Sequence, residues 1–73
     1  MEKYSVDTVA LKKRMLECGV GSIKDLSVNS GINRNTLGGI LSGKTVPSVD
    51  SMYKLASALK IDAAEAGTIF FNR

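Results

Sequence analysis

The sequence predicts an all-α fold, a compact bundle of four or five short helices. Three observations carry that expectation. In consecutive stretches the apolar side chains recur at i, i+3, i+4 and i+7, the spacing of one helix face. Glycine, proline and cap-forming residues punctuate the chain at 19–21, 30–31, 43–47 and 60–62. The period-two alternation of a half-buried strand is almost absent. No internal repeat, low-complexity tract or linker divides the 73 residues, so one domain is expected over 1–73.

The first helix is expected over about residues 5–18. Leu11, Met15 and Cys18 share a face, Lys12, Lys13 and Glu17 lie largely off it, and Gly19 tolerates the positive φ that ends the helix. The second opens at Ser22, with Asp25 three residues on, a capping-box pattern in which the hydroxyl accepts from a first-turn amide. Leu26 anchors it and Ser30-Gly31 closes it, and a helix of only about two turns requires tertiary support. The third begins at the N-cap Asn33, carries Leu37, Ile40 and Leu41 on one stripe, and stops at Gly43. Pro47 and Ser48 then announce a fourth, with Val49, Met52, Leu55, Ala56 and Leu59 on one face. A weaker fifth starts at Asp62 with Glu65 three residues on and is interrupted by Gly67. Thr68-Ile69-Phe70-Phe71 reads as a last helical turn or a short strand.

Composition excludes several classes. At 44% apolar residues and a net charge of +3 the chain is globular, not disordered. A domain this small buries roughly 60% of its unfolded surface, for a stability of about 4–10 kcal/mol. Cys18 has no second cysteine and there is no histidine, so neither a disulfide scaffold nor a metal site is expected. A Ser–His or Cys–His nucleophile is excluded on the same ground, and the scattered carboxylates sit at helix starts where capping accounts for them. No enzyme, cofactor or small-molecule ligand is expected. The apolar runs fall far short of the ~20 residues that cross a bilayer. No basic-then-apolar leader opens the chain, which points to a cytoplasmic protein. Residues 1–45 carry seven basic against four acidic side chains, while 46–73 carry three of each. Excess positive charge confined to the first part suits an anionic polymer.

The middle of the chain, about 22–42, reads as a short helix, a turn containing Gly31, and a second helix with a polar start. In that layout the second helix enters the major groove of duplex DNA and its first residues meet base edges. Those residues are Asn33, Arg34, Asn35 and Thr36. Arginine pairs with guanine O6 and N7 and asparagine with adenine N6 and N7, each worth about 1–3 kcal/mol of discrimination when bidentate. Gly38 and Gly39 conflict with helix propensity, costing roughly 2 kcal/mol together relative to alanine. Either the helix backbone approaches DNA closely there, or it packs tightly against another helix. On the first reading Gly39→Gln weakens or retargets binding without unfolding the protein.

These residues resemble the phage repressor/Cro-like (Xre-type) helix-turn-helix domains. The resemblance runs over about residues 9–66: Gly19-Val20, Ser22-Ile23-Lys24-Asp25-Leu26-Ser27, Gly31 to Leu37, Ile40, Gly43-Lys44, Pro47-Ser48 and Leu55 to Leu59. It implies a lambda-repressor-like bundle that binds a double-stranded DNA operator, usually as a homodimer, and regulates transcription. Arg34, Asn35 and Gly39 match base-facing positions, and Thr36 and Gly38 lie beside them. Asn33 is a neighbour placed against base or backbone. Ser42, Lys44 and Thr45 match the loop that grips phosphate. At the start of the second helix Ser22, Ile23 and Lys24 occupy a phosphate-holding position where the family often has glutamine, so Ile23 leaves that clamp to backbone amides and the Ser22 hydroxyl. Met15 and Leu41 stand where many members have an arginine–glutamate pair, and an apolar contact between them is expected to replace it.

Other residues have plainer readings beside the functional ones. Cys18 is a small buried apolar residue rather than a redox centre. Lys12-Lys13-Arg14 is a solvated face or a phosphate contact. Tyr4 and Tyr53 are packing or surface rings, not the interleaved aromatics of a single-strand binder. Ile69-Phe70-Phe71 closes the bundle or joins two copies across a two-fold axis. A length of 73 residues leaves no room for a separate effector domain, so a repressor of this size would act by occupancy. The rival is an antitoxin-type interaction module whose main partner is a toxin, with DNA binding for autoregulation. An adjacent toxin gene favours that rival, and a divergent promoter with repeated operators favours the repressor.

Overall fold

In the computed structural model, which describes residues 4–72, five helices follow one another: α1 Thr8–Glu17, α2 Ile23–Ser30, α3 Arg34–Leu41, α4 Val49–Leu59 and α5 Ala63–Phe70. Each starts where a side chain caps it. Ser22 Oγ accepts from the Asp25 amide at 3.1 Å, Ser48 Oγ from Ser51 at 3.1 Å, and Asp62 Oδ1 from Glu65 at 2.8 Å. Each such bond satisfies an amide that lacks an intrahelical acceptor, worth about 1 kcal/mol.

The first helix departs from the expected start. Asp7, not Ser5, opens α1, its Oδ1 accepting from the Ala10 amide at 3.0 Å. Ser5 is held elsewhere, in an isolated antiparallel bridge with Asn72. The Ser5 amide donates to the Asn72 carbonyl at 2.6 Å, and the Asn72 amide returns a bond at 3.0 Å. Of the two readings of the tail, the helical turn is the one observed, and no strand forms over 68–71. Thr68, Ile69 and Phe70 complete α5, and Asn72 supplies the bridge. Gly67 does not interrupt α5. Burial of Ile69 and Phe70 just beyond it outweighs the cost of one glycine, about 1 kcal/mol.

One core joins all five helices. Leu11 and Met15 of α1, Leu26 of α2, Leu37, Ile40 and Leu41 of α3, Leu55 and Leu59 of α4, and Ile69 and Phe70 of α5 are buried, together with Val20, Ile32 and Ile61 from the connections. Helix α1 lies against α3 and α5, α2 against α3 and α4, and α4 against α5. Met15 and Leu41 both lie in this core on the contacting helices α1 and α3, so apolar packing stands where the ion pair would be. Ile69 and Phe70 close the bundle. Two expectations need correction. Cys18 is only partly buried, and its Sγ donates to the Leu59 carbonyl at 3.2 Å. Val49 is 66% exposed, because the first turn of α4 projects beyond the core.

Arg14 binds two ends of the fold together. Its Nε donates to the Leu59 carbonyl at 2.9 Å and its Nη2 to the Lys60 carbonyl at 2.7 Å. Helix α4 ends at Lys60, a non-glycine residue at φ 54°, and the guanidinium covers the carbonyls exposed by that termination. Arg14 is therefore not a phosphate contact, which splits the basic run read from the sequence.

Candidate nucleic-acid interface

Helices α2 and α3 meet across a turn stitched by its own side chains. Gly31 adopts φ 74° at the end of α2, and its amide donates to the Ser27 carbonyl at 2.8 Å. The Ser27 hydroxyl donates to the Ile32 carbonyl at 2.6 Å, the Ser30 hydroxyl donates to the Leu26 carbonyl at 2.6 Å, and the Ile32 amide donates to Ser30 Oγ at 3.2 Å. Buried Ile32 pins the turn to the core. With these hydrogen bonds in place, the turn between the helices is held by polar contacts as well as by packing. From the sequence Ser30 marks the end of the second helix and Ser27 is only part of the family resemblance. The pattern of hydroxyls three residues apart beside Gly31 is the trace of this role in the sequence.

Helix α3 buries Leu37, Ile40 and Leu41 and turns Asn33, Arg34, Asn35 and Thr36 outward. Arg34 forms no ion pair among the described residues, so its guanidinium is available to an external acceptor. Asn33 Oδ1 accepts from the Asn35 amide at 2.7 Å. That commits the acceptor half of the Asn33 side chain to capping and leaves its Nδ2 donor, the half suited to phosphate rather than to base pairing in both senses.

The two glycines separate in role. A Cβ on Gly38 would meet nothing within 4 Å, whereas one on Gly39 would lie 2.5 Å from Thr45 Oγ1 and 3.1 Å from Thr45 Cβ. The loop after α3 folds back on that glycine. The Lys44 and Thr45 amides donate to the Gly39 carbonyl at 3.0 and 3.1 Å, and the Ser42 hydroxyl at 3.1 Å. Gly39 thus has an internal steric reason, docking of the loop 42–45, that is neither helix packing nor DNA approach. Gly38 has no internal reason at all, and the free space over it remains available to a ligand. Ser42, Lys44 and Thr45 are exposed on the docked loop, with Gly43 at φ 81° turning the chain.

At the start of α2, Ser22 and Lys24 are exposed and Ile23 is 37% exposed. Because Ser22 Oγ accepts from Asp25, its hydroxyl proton is still free to donate, and the first amides of the helix point the same way. Exposed Arg34 and Lys44 on α3 and its following loop, and exposed Ser22 and Lys24 at the start of α2, therefore present donors and positive charge with the polar first turn of α3.

An exposed, N-capped helix held by a glycine turn against its predecessor defines a helix-turn-helix DNA-binding protein. The helix-turn-helix family model matches residues 11–65, and the chain belongs to that family, of the repressor/Cro-like (Xre-type) kind. A solved relative gives the likeness at the level of one protein. The chain is similar to the restriction-modification controller protein C.AhdI from Aeromonas hydrophila, at 32% identity over 82% of this chain and 96% of that one, with a TM-score of 0.61. No curated protein matches the chain. Family and neighbour together support a DNA-binding transcriptional regulator. Among the described residues no helix is long and apolar enough to cross a membrane.

Proposed function

We propose that this chain is a sequence-specific transcriptional repressor that binds double-stranded operator DNA as a homodimer and acts by occupancy, without catalysis. The observation that carries the reading is the first turn of α3. Arg34, Asn35 and Thr36 are all exposed there, while the opposite face of the same helix is locked into the core. Arg34 and Asn35 read bases, and Ser22, Lys24, Asn33, Ser42, Lys44 and the Ile23 amide hold backbone. Selection of bound sequences from a random duplex pool, followed by Arg34→Ala, tests it. The variant is expected to lose about 1–3 kcal/mol and relax its preference at one base pair. Equal binding of all sequences by the parent and the variant refutes the assignment.

The dimer forms through the apolar surface between α4 and α5, where Val49, Tyr53 and Phe71 are exposed beside half-buried Met52. A two-fold pair reads half-sites about 34–36 Å apart. Sedimentation on a selected duplex checks this, and a single protomer per duplex refutes it. For the biological setting, the likeness to a restriction-modification controller protein favours control of such a locus over the role of a phage or mobile-element Cro-like repressor or of an antitoxin. A restriction or methyltransferase gene beside this one supports that setting.

A further inference from the structure

We infer that Lys12 of α1 grips a phosphodiester of the bound duplex beside the start of α2, supplying the side-chain donor that Ile23 lacks; this rests on the major-groove reading of α3. The basic run Lys12-Lys13-Arg14 is divided by the helix, which turns about 100° per residue. Arg14 is engaged with the carbonyls of Leu59 and Lys60. Lys13 borders a surface groove beside Ala64 whose lining also includes Glu17 and Glu65, the two carboxylates paired with Arg14. Lys12 turns to another groove, walled by Gly21, Ser22 and Ile23 from the start of α2 and by Gly38 and Ser42 from α3 and its end. No acidic side chain lines that groove.

Lys12 also forms no ion pair among the described residues. Neither Gly21 nor Gly38 has any atom within 4 Å of the place a Cβ would take, so the groove floor is open to a bulky anion. Ser22, whose Oγ accepts from the Asp25 amide and so keeps its own proton to donate, lines the same groove as Lys12. An exposed ammonium on a flexible stem, over an open floor between the two helices of the motif and without a neighbouring carboxylate, has the chemistry of a backbone-phosphate contact.

The test measures binding of full-length Lys12→Gln, Lys13→Gln and Arg34→Ala to a selected duplex and to a scrambled duplex of equal composition, from about 50 to 200 mM salt. Glutamine keeps helix propensity close to that of lysine, so equal melting curves certify the fold. Lys12→Gln is expected to weaken both duplexes equally, by roughly three- to tenfold, and to lower the slope of log affinity against log salt by about 0.9. Lys13→Gln is expected to leave the slope unchanged. A slope unmoved by Lys12→Gln, or moved as much by Lys13→Gln, overturns the inference. If Arg34→Ala still reduces discrimination between the two duplexes in that case, only the Lys12 assignment falls. If Arg34→Ala is silent too, the major-groove reading falls with it.

Discussion

Replacing Arg14 with methionine keeps the apolar stem and removes the guanidinium that ties α1 to the end of α4. Two hydrogen bonds are lost, at 2.9 Å to Leu59 and 2.7 Å to Lys60, from a side chain only 26% exposed. A hydrogen bond involving a charged group contributes about 1.5–3 kcal/mol, and partial exposure with water able to reach the Lys60 carbonyl places the pair at roughly 2–3 kcal/mol in total. The ion pairs to Glu17 at 3.4 Å and Glu65 at 3.8 Å add little, because exposed pairs contribute about 0–1 kcal/mol. In a domain of this size each kcal/mol lowers the melting temperature by about 4–8 °C, so a fall of roughly 8–24 °C is expected. Far-ultraviolet circular dichroism on heating and in urea reads it. Arg14→Lys is expected to fall between parent and Arg14→Met, since a point charge reaches one carbonyl but not both in a fork. A loss below about 3 °C for Arg14→Met would mean that water satisfies both carbonyls equally well, and the clamp argument would be wrong.

Two further outcomes follow from the packing. Gly39→Ala is expected to displace the loop 42–45 through contact with Thr45, weakening DNA binding while the helices stay intact; Gly39→Ala combined with Thr45→Gly restores the room and, on anisotropy titration, part of the affinity. Failure of the second change to recover any binding would remove the steric explanation. Leu41→Glu places a carboxylate among the apolar side chains of the core, at a cost of about 3–5 kcal/mol, a large share of the stability of so small a domain. A melting temperature equal to the parent's would show that Met15 and Leu41 do not pack as argued.

Much of the fold was legible because its interactions are short in sequence. The caps at Ser22, Asn33, Ser48 and Asp62 join residues two or three apart, and the apolar stripes repeat every turn. A residue pair that close has little freedom to do anything else, so residue type and spacing suffice. The polar start of α3 was legible in part for the same reason: once Leu37, Ile40 and Leu41 define the inward stripe, Asn35 falls opposite it, while Arg34, at i−3 from Leu37, is exposed in the first turn.

What escaped the sequence lies between distant segments. Arg14 is separated by 45 and 46 residues from the carbonyls it binds, and Ser5 by 67 from Asn72. Helical spacing sets Arg14, three residues after Leu11 and four before Cys18, beside the inward face and its lysine neighbours off it, but only the approach of α4 supplies the carbonyls it binds. The role of Gly39 was likewise invisible, because a missing side chain carries no record of what fills its place. Periodicity and caps dictate where helices run and which faces they bury. Chain crossing in three dimensions alone decides which exposed-looking polar group is consumed by the fold and which is left for DNA, since that choice depends on distances no residue spacing contains.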